Sequence, residues 1–107
     1  MFARRLSVQL HPNKFVEFTQ VLDNEVIPLL RKQQGFKDEI TFAGIDNVKV
    51  LAISLWDTEE NAVTYDRGAY KDVLKMLDKL IAGTPKVATT EVIHSTFHQI
   101  RAGALAA

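Results

Sequence analysis

The chain has 107 residues, about one domain's length, with 13 Lys plus Arg against 13 Asp plus Glu and no run of like charge. That balance disfavours non-specific attraction to nucleic acid or to an anionic membrane surface. The absence of cysteine excludes disulfides, thiolate nucleophiles and Cys-ligated metal or iron–sulfur centres.

No apolar run reaches the roughly 18 residues of a membrane span. The opening residues Met1 to Leu6 carry two arginines but no apolar segment or small-residue cleavage site. We therefore expect no signal peptide, no membrane association and a cytoplasmic protein, built as a single domain over residues 1–107.

Phe2 to Leu10 alternates in the period of a half-buried strand, with Arg4, Leu6, Val8 and Leu10 on one side and Arg5, Ser7 and Gln9 on the other. His11-Pro12-Asn13 breaks it, and Asn13 has the chemistry of an N-cap. From Lys14 to about Gln33, Phe15, Phe18, Leu22, Val26 and Leu29 recur at helical spacing, with Val16, Ile27 and Leu30 as a second line. Pro28 inside this helix removes the bond to the carbonyl of Asn24 and predicts a kink. Gly35 suits a left-handed C-terminal cap.

Phe36 to Ala43 reads as an edge strand, with Phe36, Ile40 and Phe42 opposing Lys37, Glu39 and Thr41. Gly44 to Asn47 has turn chemistry and makes a hairpin with the next stretch. That stretch, Val48 to Trp56, is apolar at nearly every position and reads as a central strand. One face holds Leu51, Ile53 and Leu55; the other holds Val50, Ala52, Ser54 and the lone tryptophan, Trp56.

Asp57 and Thr58 then offer N-caps for a short helix to about Asp66, interrupted around Arg67-Gly68. A longer helix carries Tyr70, Val73, Leu74, Leu77, Leu80 and Ile81 and is expected to end at Gly83-Thr84-Pro85. Lys86 to Ile100 reads as the last strand, with His94 and His98 on one side.

The order strand, helix, strand, strand, helix, strand specifies an α+β fold. It is the ferredoxin-like βαββαβ plan, with the first and third strands central in a four-stranded antiparallel sheet. Both helices fall on one face. The other, expected to show Arg5, Ser7 and Gln9 with Ala52, Ser54 and Trp56, lies open and needs a partner.

The run Val26 to Phe36, the hairpin, and the apolar strand closing in Trp56-Asp-Thr-Glu-Glu-Asn-Ala62 with Tyr65 soon after resemble the antibiotic-biosynthesis-monooxygenase-like family of dimeric α/β barrels. The resemblance in layout covers Phe2 to about Ile100. It implies a homodimer joined sheet to sheet, with a pocket for a small aromatic or quinone-like molecule in each protomer. It also implies oxidation of phenols with no metal or flavin cofactor.

The haem-degrading branch of that family implies an asparagine on the first strand, a tryptophan where Tyr65 stands and a histidine in the next helix. Here the first strand offers Ser7 and Gln9, and Tyr70 to Ile81 contains no histidine.

Cofactor-free oxidation needs a base, oxyanion donors and aromatic walls. As catalytic candidates we single out His94, His98 and Tyr65, and as substrate-binding candidates Trp56, Tyr70 and Ser54. Each competes with a structural role: core packing for Trp56 and Tyr70, a hydrogen-bonded surface or interface position for the histidines. On a strand His94 and His98 would stand about 13 Å apart, too far to share a zinc ion, and we expect no metal. A second reading is a non-catalytic dimeric ligand-binding or stress-response module with the same architecture.

Overall fold

The computed structural model describes residues 1–98. Its sheet has the order β2-β3-β1-β4, from β1 (Phe2–Leu10), β2 (Phe36–Ala43), β3 (Lys49–Trp56) and β4 (Ile81–Glu91). Every neighbouring pair is antiparallel, so the expected α+β plan with β1 and β3 central is present.

The first helical region is three pieces rather than one: α1 (Phe15–Val21), a π-helical turn (Leu22–Val26) and α2 (Ile27–Arg31). The Ile27 N–H reaches back to the Leu22 carbonyl, five residues away. Pro28, at the start of α2, needs no donor there, so the wider turn absorbs the predicted kink. It also changes the buried stripe. Phe18, Val26 and Leu30 are buried, with Leu22 packed beside them, in steps of four. Val16, expected on the stripe, is exposed. Asn13 is not a cap; it takes a left-handed turn (φ 63°), and Lys14 precedes the helix without a side-chain cap.

The face assignment of β3 is overturned. Directly opposed residues share a face, and β1 pairs Arg4 with Ser54, Leu6 with Ala52 and Val8 with Val50. Because Leu6, Val8 and Leu10 are buried under the helices, Val50, Ala52, Ser54 and Trp56 lie there too. The open face holds Leu51, Ile53 and Leu55, joined from β2 by Ile40 and Phe42, which pair with Ile53 and Leu51. Arg5, Ser7 and Gln9 lie on that open face as expected; Ala52, Ser54 and Trp56 do not. A strand apolar on both sides gives alternation nothing to decide with.

The second helical region is α3 (Glu59–Arg67) and α4 (Tyr70–Leu77). Thr58 caps α3, its Oγ1 accepting the Asn61 N–H at 3.1 Å. Leu80 and Ile81 leave the helix, and Gly83-Thr84-Pro85 ends nothing: it bulges from β4 between the pairs Ser7–Lys86 and Gln9–Ala82. Gly83 supplies a positive φ (76°) and Pro85 lacks an N–H, both tolerated in a bulge. The strand stops at Glu91 rather than Ile100, so His94 and His98 are not strand residues. The last positions of the expected strand and the tail, residues 99–107, lie outside the described residues.

Candidate functional site

Between sheet and helices lies a narrow cavity whose walls are aliphatic or aromatic apart from Arg4, Glu39, Ser54 and Tyr65. Its narrow interior has room for about three waters. Three of the four polar side chains come from one row across the sheet. Glu39 of β2 pairs with Ser54 of β3, which pairs on its other side with Arg4 of β1. At the usual strand spacing, the Glu39 and Arg4 backbones stand about 10 Å apart with the serine between them. Tyr65 of α3 closes the site from the helix side.

Each member is held by neighbours. The Arg4 guanidinium, only 3% exposed, donates from Nη2 (2.7 Å) and Nε (3.2 Å) to Oδ1 of Asp66. It lies 3.9 Å from the Tyr70 ring centre and 5.1 Å from that of Tyr65. Trp56 is fully buried, and its Nε1 donates to Ser54 Oγ at 2.8 Å, fixing the hydroxyl. Tyr65 stacks on Trp56 (centroids 4.9 Å, planes 26° apart), and Phe36 meets the other side of the indole edge-on. Behind Ser54 and Tyr65 the site is therefore backed by packed aromatic rings.

The electrostatics of the two titratable lining groups follow from that burial. The Tyr65 phenol is pushed up to about 12, chiefly because burial disfavours its phenolate, with Arg4 opposing. It is a neutral donor across the ordinary pH range. Burial also raises Glu39 above the usual carboxylate range, against the effect of the hydrogen bond donated by the Thr41 hydroxyl at 2.7 Å. Among the described residues nothing hydrogen-bonds the Tyr65 hydroxyl, yet no buried side-chain polar atom is sealed off without a partner. Tyr65 is 4% exposed and lines the cavity, so its O–H is accessible rather than sealed.

Of the residues singled out from sequence, Ser54, Trp56, Tyr65 and Tyr70 come together here; the histidines do not. His94 is exposed, and His98 Nε2 lies 2.8 Å from Asp38 Oδ2, outside the cavity lining. Among the described residues no three His, Cys, Asp or Glu side chains converge as metal ligands.

Sequence reasoning missed Arg4 and Glu39. The signal for Arg4 was present: a charge in the same alternate set as Leu6, Val8 and Leu10 must be buried with them. Glu39 had no such signal, because a charged residue on an edge strand reads as solvated.

No family model matches the chain, and no curated protein sequence matches it. Solved structures do match. A Bordetella bronchiseptica protein named as an antibiotic biosynthesis monooxygenase superposes with a TM-score of 0.75 at 14% identity, over 87% of this chain and 97% of that one. The monooxygenase ActVA-Orf6 of Streptomyces coelicolor, in complex with nanaomycin D, gives 0.73 at 17% identity over 88% of both chains. SnoaB of Streptomyces nogalater, a cofactor-independent oxygenase, gives 0.73 at 13% identity over 89% of this chain and 95% of that one. The chain thus has the ferredoxin-like fold of antibiotic-biosynthesis-monooxygenase-like proteins.

Proposed function

We propose that this chain is a homodimeric, monooxygenase-like protein that takes a small planar aromatic or quinone-like molecule into the sheet–helix cavity and oxidises it without a bound cofactor. The observation that carries the reading is Tyr65, which lines an otherwise apolar cavity beside Arg4, Glu39 and Ser54 and whose hydroxyl is unpaired by the described residues. The fold is shared with a cofactor-independent oxygenase and with a monooxygenase that binds nanaomycin D. An electron-rich phenolate or enolate can itself reduce oxygen, which leaves the protein to ionise the substrate, orient it and exclude water. Oxygen uptake with a panel of hydroquinones and anthrones tests this. Turnover above buffer that falls in Tyr65→Phe and persists in His94→Ala and His98→Ala is expected; no turnover overturns it.

The dimer is proposed from the open face. Phe42 is 52% exposed and Ile40 37%, beside Leu51, Ile53 and Leu55, a layer that one chain's helices leave uncovered. Sedimentation at micromolar concentration is expected to give twice the 12.0 kDa of one chain, reverting to 12.0 kDa in Ile53→Lys. A wild-type monomer sinks the dimer.

The place of His94 and His98 outside the cavity favours one alternative, a binding module that holds a ligand without transforming it. Saturable quenching or shift of the single tryptophan's fluorescence by hydroquinones, with no oxygen consumed, would select that reading.

A further inference from the structure

We infer that Glu39, Ser54, Arg4 and Tyr65 form a proton-accepting site for a weakly acidic phenol or enol, in which Glu39 takes the ligand's hydroxyl proton and Arg4 with Tyr65 holds the resulting anion. The inference rests on the preceding reading only for the place of the ligand, not for its oxidation.

The geometry is the row already described. Glu39 and Arg4 flank Ser54 on adjacent strands, all three line the cavity, and Tyr65 faces them from α3. A planar ring lying along that row sits between the Glu39 and Arg4 strands, which are about 10 Å apart at the backbone.

The chemistry balances without any further reactant. The ligand O–H bond breaks, its proton joins a Glu39 carboxylate oxygen, and the electron pair stays on the ligand oxygen. The site's net charge does not change. Negative charge moves from a carboxylate supported by the Thr41 hydroxyl toward the guanidinium and the Tyr65 O–H. The charged and titratable groups around this exchange are Arg4 on β1 and Tyr65 and Asp66 on α3, with Tyr70 beyond. Asp66 already neutralises one side of Arg4, but it takes only Nε and Nη2; Nη1 makes no hydrogen bond with the described residues and is not sealed from space. That nitrogen is the donor left for an incoming oxyanion. Ser54 Oγ accepts from Trp56, so it serves as a fixed dipole rather than as the base.

The test uses 4-nitrophenol, whose absorption separates phenol from phenolate and which does not react with oxygen as a hydroquinone does. It is mixed with the intact protein about one pH unit below the probe's own pKa, where about nine-tenths of the free probe is protonated. Bound probe is expected to show the phenolate band. In Glu39→Gln the anion must be drawn from the ionised tenth of the free probe, so the phenolate absorbance of bound probe at subsaturating concentration is expected to fall about tenfold, while His94→Ala and His98→Ala behave as wild type. Probe that does not bind, that binds unionised, or that ionises equally in Glu39→Gln overturns the inference. Hydroquinone oxidation that survives unchanged in Glu39→Gln also overturns it while leaving the oxidative reading intact. Ionised probe with no oxygen uptake on any hydroquinone does the reverse.

Discussion

Removing Asp66 should damage the fold more than removing the buried charge that it neutralises. Arg4 is 3% exposed while the Asp66 side chain is 48% exposed, so the two ends of this 2.7 Å pair stand in different media. In Asp66→Ala the guanidinium stays buried without its carboxylate. Breaking a fully buried pair costs about 3–5 kcal/mol. Here water can enter where the half-exposed carboxylate was, which lowers the expectation to about 1–3 kcal/mol. In Arg4→Met the aspartate simply rehydrates and the thioether keeps most of the stem's packing. The loss is the stacking on Tyr70 and Tyr65, about 0.5–2 kcal/mol, offset by no longer burying a charge, for a net near zero to about 1 kcal/mol. At about 4–8 °C per kcal/mol for a domain of this size, the roughly 1.5 kcal/mol between the midpoints of the two ranges should separate the melting temperatures by about 6–12 °C, Asp66→Ala the lower. Thermal and urea unfolding at fixed protomer concentration measure this. The double variant should match Arg4→Met, because the harm of Asp66→Ala needs the arginine. Arg4→Met melting below Asp66→Ala, or additive losses in the double variant, would refute the reasoning.

Glu39→Gln should be more stable than wild type near neutral pH. Glu39 binds its proton more tightly in the folded chain than its ordinary value of 4.5, so the native state is the more protonated one and stability is lost as pH rises through the folded value. Glutamine removes that loss, so its advantage in melting temperature should shrink as pH falls toward 4.5; an advantage that grows on acidification contradicts the burial argument. Gly35→Ala should cost about 1–3 kcal/mol in urea unfolding. Gly35 sits at φ 80°, and a Cβ there would come 2.2 Å from Asn61 Oδ1, which the Thr58 hydroxyl holds at 2.8 Å. Adding Asn61→Gly should recover the steric part of the loss and not the backbone part.

What the sequence made legible was the order of elements and the central place of β1 and β3, because alternation, helical spacing and turn chemistry are local signals. What it hid was anything that depends on competition between local signals and tertiary pairing. Gly83-Thr84-Pro85 has the chemistry of a helix end, but β1 extends past it, and pairing with Gln9 and Leu10 recruits Ile81 and Ala82 into the strand and leaves the turn residues as a bulge. His94 and His98 alternate with apolar neighbours, yet β4 runs out of β1 to pair with once Glu91 meets Phe2. The aromatic part of the site was legible because Trp56, Tyr65 and Tyr70 are rare side chains spaced from one strand end into two helices. Of its charged part, Arg4 was signalled by its place in the alternate set of Leu6, Val8 and Leu10, whereas Glu39 looks like a surface residue until the row through Ser54 is known.

The orientation of β3 ties these features together. Had Leu51, Ile53 and Leu55 turned toward the helices, they would have filled the space above the sheet, and the small residues would have faced outward. In the observed arrangement Ala52 and Ser54 stand under the helices, where their missing volume becomes the cavity. The large aliphatic residues are displaced to the opposite face, which the helices of this chain leave uncovered. A cavity and an uncovered sheet are thus two results of one register choice. Ser54→Leu should therefore shrink the first without affecting the second: loss of 4-nitrophenol binding with unchanged sedimentation. A variant that also changed its oligomeric state would mean that the two faces are not independent.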